Sequence, residues 1–264
     1  MFWPRLCGCA RPRRRISNES RFARLKVTVI QSILPFESCE DVYERVFRTL
    51  KPKTSPPEFE VLYRPYANLD SRILLQEGHR KILVKVSDQL QQAPPAVHES
   101  LAHVLLAKLY RKRIDPEHDR RYREFVNRSE VRQQALNVRR SRGRKEMAPA
   151  TGRHHDLDRM FADLNVRYFG GKLRKPAVGW SKRGSRRLLG HYDPAHDSIV
   201  LSKLLDRGEV PAFVVEYVLF HEMLHVKHPV EYRTSRRCVH TPAFKRDEKA
   251  FARFDEANLY LKKW

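Results

Sequence analysis

Between Pro211 and Lys227 the chain is almost continuously apolar, yet this run contains His221-Glu222-Met223-Leu224-His225. Phe213, Val214, Val215, Tyr217, Val218, Leu219, Phe220, Met223, Leu224 and Val226 surround the motif, a pattern that predicts a helix buried nearly all round. Two imidazoles and a carboxylate are costly in such a helix unless they have a partner. Positions i and i+4 of a helix face the same way, so His221 and His225 can chelate one ion. Glu222 falls beside them, where it can take a proton from water and later return it to a leaving amine. Zn2+ is the expected ion, because it brings the pKa of a bound water towards ~7. Histidines satisfied by ordinary core hydrogen bonds are the alternative, and the burial of the motif weighs against it.

A catalytic zinc takes a third protein ligand and keeps one position open. His240 is the best candidate, since Thr241 after it suits an N-cap and Pro242 a first helical position. The following Phe244, Phe251 and Phe254 would pin that helix to the core. His228 lies too close to the motif helix to reach round, and Cys238 and Glu248 are weaker alternatives.

The remaining chain reads as α+β. Ser38 is a potential N-cap for a helix carrying Tyr43, Val46, Phe47 and Leu50 at helical spacing. Phe59, Val61 and Tyr63 alternate as a strand does, and so do Ile82, Val84 and Val86. Pro94-Pro95 opens a helix with Val97, Leu101, Val104, Leu105 and Leu109 on its apolar face. The second half repeats this order. A helix through Leu157, Phe161 and Leu164 ends at Gly170-Gly171. Strands follow at Val178 and Trp180, at Leu188 and Leu189, and at Ile199 and Leu201, and the motif helix comes after them. An offset of 116 residues carries Pro95 onto Pro211 and Val84 onto Val200. It also sets Leu105 and Leu109 where His221 and His225 stand, and His118 falls roughly opposite His240. These matches lead us to expect a degenerate copy of the metal domain that has lost its ligands. A shared order arising by chance is the competing explanation.

The expected organisation is a basic flexible arm over 1–37, an α+β N-terminal domain over 38–127, a basic linker over 128–153 and the metal domain over 154–264. The arm lacks the apolar core of a secretory signal, although a mitochondrial-type presequence has a similar composition. With 53 Lys plus Arg against 31 Asp plus Glu, the chain carries a net charge of +22. Such an excess repels itself and points to a polyanionic partner, nucleic acid first. Arg139, Arg140, Arg142, Arg144 and Lys145 in the linker are the candidate contacts. The four cysteines, Cys7, Cys9, Cys39 and Cys238, form no paired framework, which suits a reducing compartment. No apolar stretch reaches membrane-helix length. The expected location is therefore cytoplasmic or nucleoid-associated.

Residues 156–255 resemble the SprT-like zinc metallopeptidases. The resemblance rests on Gly179-Trp180-Ser181, Gly190-His191-Tyr192, Ser198-Ile199-Val200-Leu201-Ser202, the His221–His225 motif and His240-Thr241-Pro242-Ala243-Phe244. It implies a small zincin-like α+β domain: a helix, a short sheet, the motif helix and a C-terminal helix presenting the third histidine. It also implies His221, His225 and His240 as zinc ligands and Glu222 as catalytic base. An animal member of the family digests proteins crosslinked to DNA, so the implied substrate is a nucleic-acid-associated protein. Two features of relatives do not follow the motif domain before Trp264: a paired-cysteine zinc ribbon and a DNA-binding tail. DNA targeting is then expected from the arm, the linker or the N-terminal half.

Three functions fit these observations. The first is a zinc endopeptidase with Glu222 as general base. The second is a nucleic-acid-binding protein with a structural or vestigial zinc site, for which Glu222 would be unnecessary. The third is a zinc hydrolase of a non-peptide substrate, because the motif specifies metal chemistry better than substrate.

Overall fold

The computed structural model describes residues 37–76, 78 and 80–264. The basic arm expected over 1–37, with Cys7 and Cys9, lies outside the described residues except for Glu37. The described residues form a mixed α+β structure of eight α-helices and three small sheets.

Helix α1 (Cys39–Leu50) starts on a capping box. The Ser38 hydroxyl accepts from the Asp41 N–H at 3.1 Å, and the Asp41 carboxylate accepts from the Ser38 N–H at 3.0 Å. Its inward face buries Val42, Tyr43, Val46 and Phe47 against a three-stranded sheet. Strands β1 (Glu58–Arg64), β2 (Ser71–Gln76) and β3 (Lys81–Ser87) lie in the order β1-β3-β2, with β1 parallel and β2 antiparallel to β3. A 3₁₀ turn at Asp88–Leu90 leads to α2 (Pro95–Leu109), then α3 (Pro116–Val126) and α4 (Ser129–Arg142). Sequence pattern did not reveal β2. Ile73 and Leu75 turn inward while Leu74 between them is 45% exposed, so the strand reads as an unbroken apolar triplet instead of an alternation.

The second unit has the same order of elements. After β4 (Met147–Ala148) come α5 (Leu157–Phe169), β5 (Ala177–Ser181), β6 (Gly190–Asp193) and β7 (Ser198–Leu201). A 3₁₀ turn at Lys203–Leu205 and α6 (Ala212–Lys227) follow, then the hairpin β8 (Glu231–Arg233) and β9 (Arg236–Cys238), α7 (Pro242–Lys249) and α8 (Phe254–Lys263). Asp156 caps α5, and Gly170 ends it in the left-handed region at φ 60°. The sheet order is β4-β5-β7-β6, with β5 parallel and β6 antiparallel to β7. The strand expected at Leu188 and Leu189 begins at Gly190, because Leu188 lies in the exposed approach to it.

Strand order and direction in β1-β3-β2 and β5-β7-β6 are therefore identical. The offset differs by one residue from the sequence reading. Pro94 caps α2 as Pro211 caps α6, so Val104 and Lys108, not Leu105 and Leu109, match His221 and His225. Asp115 caps α3 as Thr241 caps α7, which sets Ile114, not His118, opposite His240. The cause is the Pro94-Pro95 pair, whose first proline is the cap.

Each unit has its own apolar core. In the second, α6 is the central element, packed by α5, α7, α8 and the sheet, and Trp180 is held by its indole N–H donating to the Ala150 carbonyl at 2.9 Å. Residues 128–153, expected as a flexible linker, instead contain α4 and β4. Ala, Leu, Gln and Arg are good helix formers, and a high charge does not by itself break a helix. Helix α4 also ties the units together: Arg142 pairs with Asp88 at 2.7 Å, and Arg139 reaches Asp193 on β6 at 3.1 Å.

Candidate metal centre

The helix predicted from the apolar run brings three histidines together. His221 and His225 lie one turn apart on α6, 3% and 8% exposed. His240 is carried to them by the start of α7, where the Thr241 hydroxyl accepts from the Phe244 N–H at 3.1 Å and Pro242 takes the first helical turn. One ring nitrogen from each histidine falls within a set spanning no more than 4.8 Å. Two nitrogens on one zinc lie about 3.4 Å apart, so the set closes on an ion with small side-chain rotations. Phe244, fully buried, forms the floor: its ring centroid is 4.7 Å from those of His225 and His240 and 5.1 Å from that of His221.

The electrostatics suit a cation. Burial, then the charges of His221 and His240, push His225 well below the usual histidine range. Burial, then His221, push His240 down to about 4. Both rings are thus neutral near pH 7, the form a metal requires. The Nε2 of His240 is buried without a hydrogen-bond partner among the described residues. The same holds for both carboxylate oxygens of Glu222, whose side chain is completely buried. Burial pushes the Glu222 carboxyl up to about 7, against the pull of His221 and of the Tyr192 N–H, which lies near it but outside hydrogen-bond geometry. Orphaned buried polar atoms of this kind are rare in folded proteins, and a cation held by the three imidazoles would give His240 Nε2 its partner. Three imidazole nitrogens suit a divalent transition-metal ion, zinc among them.

The other candidates for third ligand are placed elsewhere. His228 bonds Asp247 through Nε2 at 2.7 Å, and Cys238 is a half-buried free thiol at the end of β9. Glu248 has a different position from the one expected of a ligand. Its Oε1 accepts from His221 Nδ1 at 2.7 Å and from the Tyr217 hydroxyl at 3.0 Å. That bond turns His221 Nε2 towards the cluster, the usual arrangement of a carboxylate behind a metal-binding histidine. Burial pushes the Glu248 carboxyl up, but the bond and charge of His221 outweigh it and hold the carboxyl below its ordinary value. The sequence signal for this role was weak: Glu248 falls two turns into α7, on the face shared with His240 and Phe244.

Strand β6 runs past Glu222 so closely that a side chain at residue 190 would force Glu222 or the strand to shift. A Cβ there would lie 2.8 Å from Glu222 Oε1 and 3.1 Å from Val218 Cγ1. The Tyr192 hydroxyl donates to Asp197 at 3.1 Å. Among the described residues no strand pairs with the outer edge of β6.

The basic residues expected to meet nucleic acid are mostly engaged within the chain. Arg139 pairs with Asp193, Arg140 donates to the Ala195 carbonyl at 3.0 Å and Arg142 pairs with Asp88. Lys145 donates to His191 Nε2 at 2.6 Å and lies 3.4 Å from Asp193. Burial lowers the Lys145 pKa, and burial followed by the Lys145 charge lowers His191 to about 4. Arg144 alone of the five is exposed without such a contact.

Comparison with family models, with curated proteins and with solved structures returned no match. Among the described residues no helix is long and apolar enough to cross a membrane.

Proposed function

We propose that this chain is a zinc-dependent endopeptidase of the SprT-like, zincin type, acting on proteins associated with nucleic acid. The observation that carries the reading is the juxtaposition of three histidine nitrogens within 4.8 Å and a fully buried, unbonded Glu222 beside them. When bound, zinc lowers the pKa of a coordinated water and polarises a carbonyl. His221, His225 and His240 would hold it, with Glu248 fixing His221. A Glu222 carboxyl near pKa 7 can both accept and return a proton at neutral pH, the property required of a base that later protonates a leaving amine. The open edge of β6 offers main-chain hydrogen bonds to an extended peptide next to Glu222. A purely structural zinc would have no need of a buried carboxylate, which costs stability there.

The shared element order of the two units supports a tandem origin, with the N-terminal copy carrying Val104, Lys108 and Ile114 where the second has its ligands. The net charge of +22 supports the nucleic-acid part of the proposal. The test is proteolysis of a DNA-binding protein by the zinc-loaded chain, with and without single-stranded DNA and with Glu222→Gln as the blank. Cleavage stimulated by DNA and absent from the variant is the expected result. Zinc and DNA binding by both proteins with cleavage by neither would replace this reading with that of a binding protein.

A further inference from the structure

Residues 164–192 contain eight Lys and Arg and no carboxylate. The fold neutralises half of them from elsewhere: Arg167 pairs with Glu216, Arg174 with Asp197, Lys175 with Asp158 and Lys182 with Glu146. Of the other four, Lys172 lies before β5, while Arg183, Arg186 and Arg187 are left exposed on the connection between β5 and β6, with no ion pair among the described residues. Three guanidinium groups within five residues repel one another and gain nothing from the fold.

The connection that carries them is nevertheless tightly built. The Ser202 hydroxyl, 3% exposed as a residue, accepts from the Ser185 N–H at 2.9 Å and donates to the Ser185 carbonyl at 2.7 Å. The Ser185 hydroxyl accepts from the N–H groups of Arg187 and Leu188 at 3.2 and 3.0 Å. The Ser181 hydroxyl donates to the Arg183 carbonyl at 2.6 Å and accepts from the Lys203 N–H at 3.1 Å. Gly184 lies against Leu204, where a Cβ would come within 2.6 Å of the leucine. A loop held in this way gives up little conformational entropy when it binds.

We propose that this loop, through Arg183, Arg186 and Arg187, binds the phosphate backbone of nucleic acid at the rim of the metal centre. Guanidinium groups bind phosphate oxygens two at a time, and backbone phosphates are spaced so that neighbouring arginines engage successive groups. The loop exposes a single large apolar side chain, Leu188, and no aromatic ring, so it lacks the apolar face with which a surface segment enters a lipid headgroup layer. Its position is functional. Arg187 is three residues before Gly190, so the two Cα atoms are at most about 11 Å apart, and Gly190 abuts Glu222. Nucleic acid on the loop brings any protein attached to it alongside β6. The engaged residues of α4 and Lys145 do not offer this surface.

The inference rests on the nucleic-acid part of the proposed function and is independent of hydrolysis. It is tested by binding alone, on the full zinc-loaded chain carrying Glu222→Gln, so that an absence of protease activity does not affect the readout. Fluorescence anisotropy with a labelled duplex is measured over a salt series. The triple variant Arg183→Gln, Arg186→Gln, Arg187→Gln should flatten the slope of log K against log salt by about 2.7, from about 0.9 per phosphate contact. The corresponding Arg→Lys triple variant should keep most of the slope, and Lys108→Gln with Arg113→Gln on the N-terminal unit should leave it unchanged. A loop variant with the wild-type slope overturns the proposal, and so does an equal loss from the N-terminal variant. Loss of binding to phosphatidylglycerol vesicles with DNA binding intact would assign the loop to membranes and overturn it as well. Unchanged thermal unfolding of the loop variant guards against a folding defect.

Discussion

Replacing Glu248 tests whether the carboxylate behind His221 organises the metal centre. Glu248→Ala removes the acceptor of two hydrogen bonds, from His221 Nδ1 and from the Tyr217 hydroxyl, both on side chains almost fully buried. Each buried donor left unsatisfied costs about 1–3 kcal/mol. The Glu248 side chain is 17% exposed, so water can partly replace it, and about 2–3 kcal/mol of stability should be lost in total. The His221 ring is also released to rotate and to carry its proton on the other nitrogen. Loss of such a carboxylate lowers metal affinity by about 10–100-fold, or about 1.4–2.7 kcal/mol. Glu248→Gln keeps an acceptor oxygen and should lose less than about tenfold. Zinc affinity is read by competition with a chromophoric chelator at neutral pH, and stability by urea unfolding. Zinc binding by Glu248→Ala within about threefold of wild type would refute the positioning role.

Gly190→Ala sets a methyl group 2.8 Å from Glu222 Oε1, which must displace the carboxylate or the strand. On the proposed function the cleavage rate should fall by about tenfold or more while one zinc per chain is retained, because a small misplacement of a catalytic group is costly; an unchanged rate argues against Glu222 as the base. Phe244→Ala empties the floor beneath three imidazoles and should cost about 3–5 kcal/mol in urea unfolding, whereas a loss below about 1 kcal/mol would mean that the ring is not core. Acid should weaken the metal-free chain. His191 and His240 titrate near 4 when folded but near about 6.5 when unfolded. Glu222, raised to about 7, keeps its proton in the folded chain over much of this interval and offsets one of the histidines. His225, pushed down further, adds a third depressed ring, so on balance the unfolded chain binds more protons and stability falls as pH drops from about 6.5 to 4. Urea midpoints in EDTA that stay flat across this window contradict the burial of these rings as neutral groups.

The histidine cluster was legible because most of its spacing is set by a single helix. His221, Glu222 and His225 need only the 3.6-residue period, and the Thr241-Pro242 start of α7 marks where His240 would be presented. Glu248 was harder to place, since whether a carboxylate ligates an ion or stands behind a ligand depends on how α7 packs on α6. The α+β pattern was visible in alternating strands such as Phe59–Tyr63, but β2 was not, because its half-buried edge gives no clean period. The segment over 128–153 misled for a physical reason. Charge and a glycine suggest a linker, yet its arginines find Asp88, Asp193 and the Ala195 carbonyl only after the chain has folded. Conversely, nothing local distinguishes Arg183, Arg186 and Arg187 from other basic residues until the structure shows which carboxylates are already taken.

The most direct measurement is the peptide-cleavage rate of Glu222→Gln relative to wild type, with both proteins verified to hold one zinc per chain. If Glu222 is the base, its loss with the three histidines intact should lower the rate by about 10²–10⁴-fold while zinc affinity stays nearly constant. Equal rates for the two proteins would contradict Glu222 as the catalytic base.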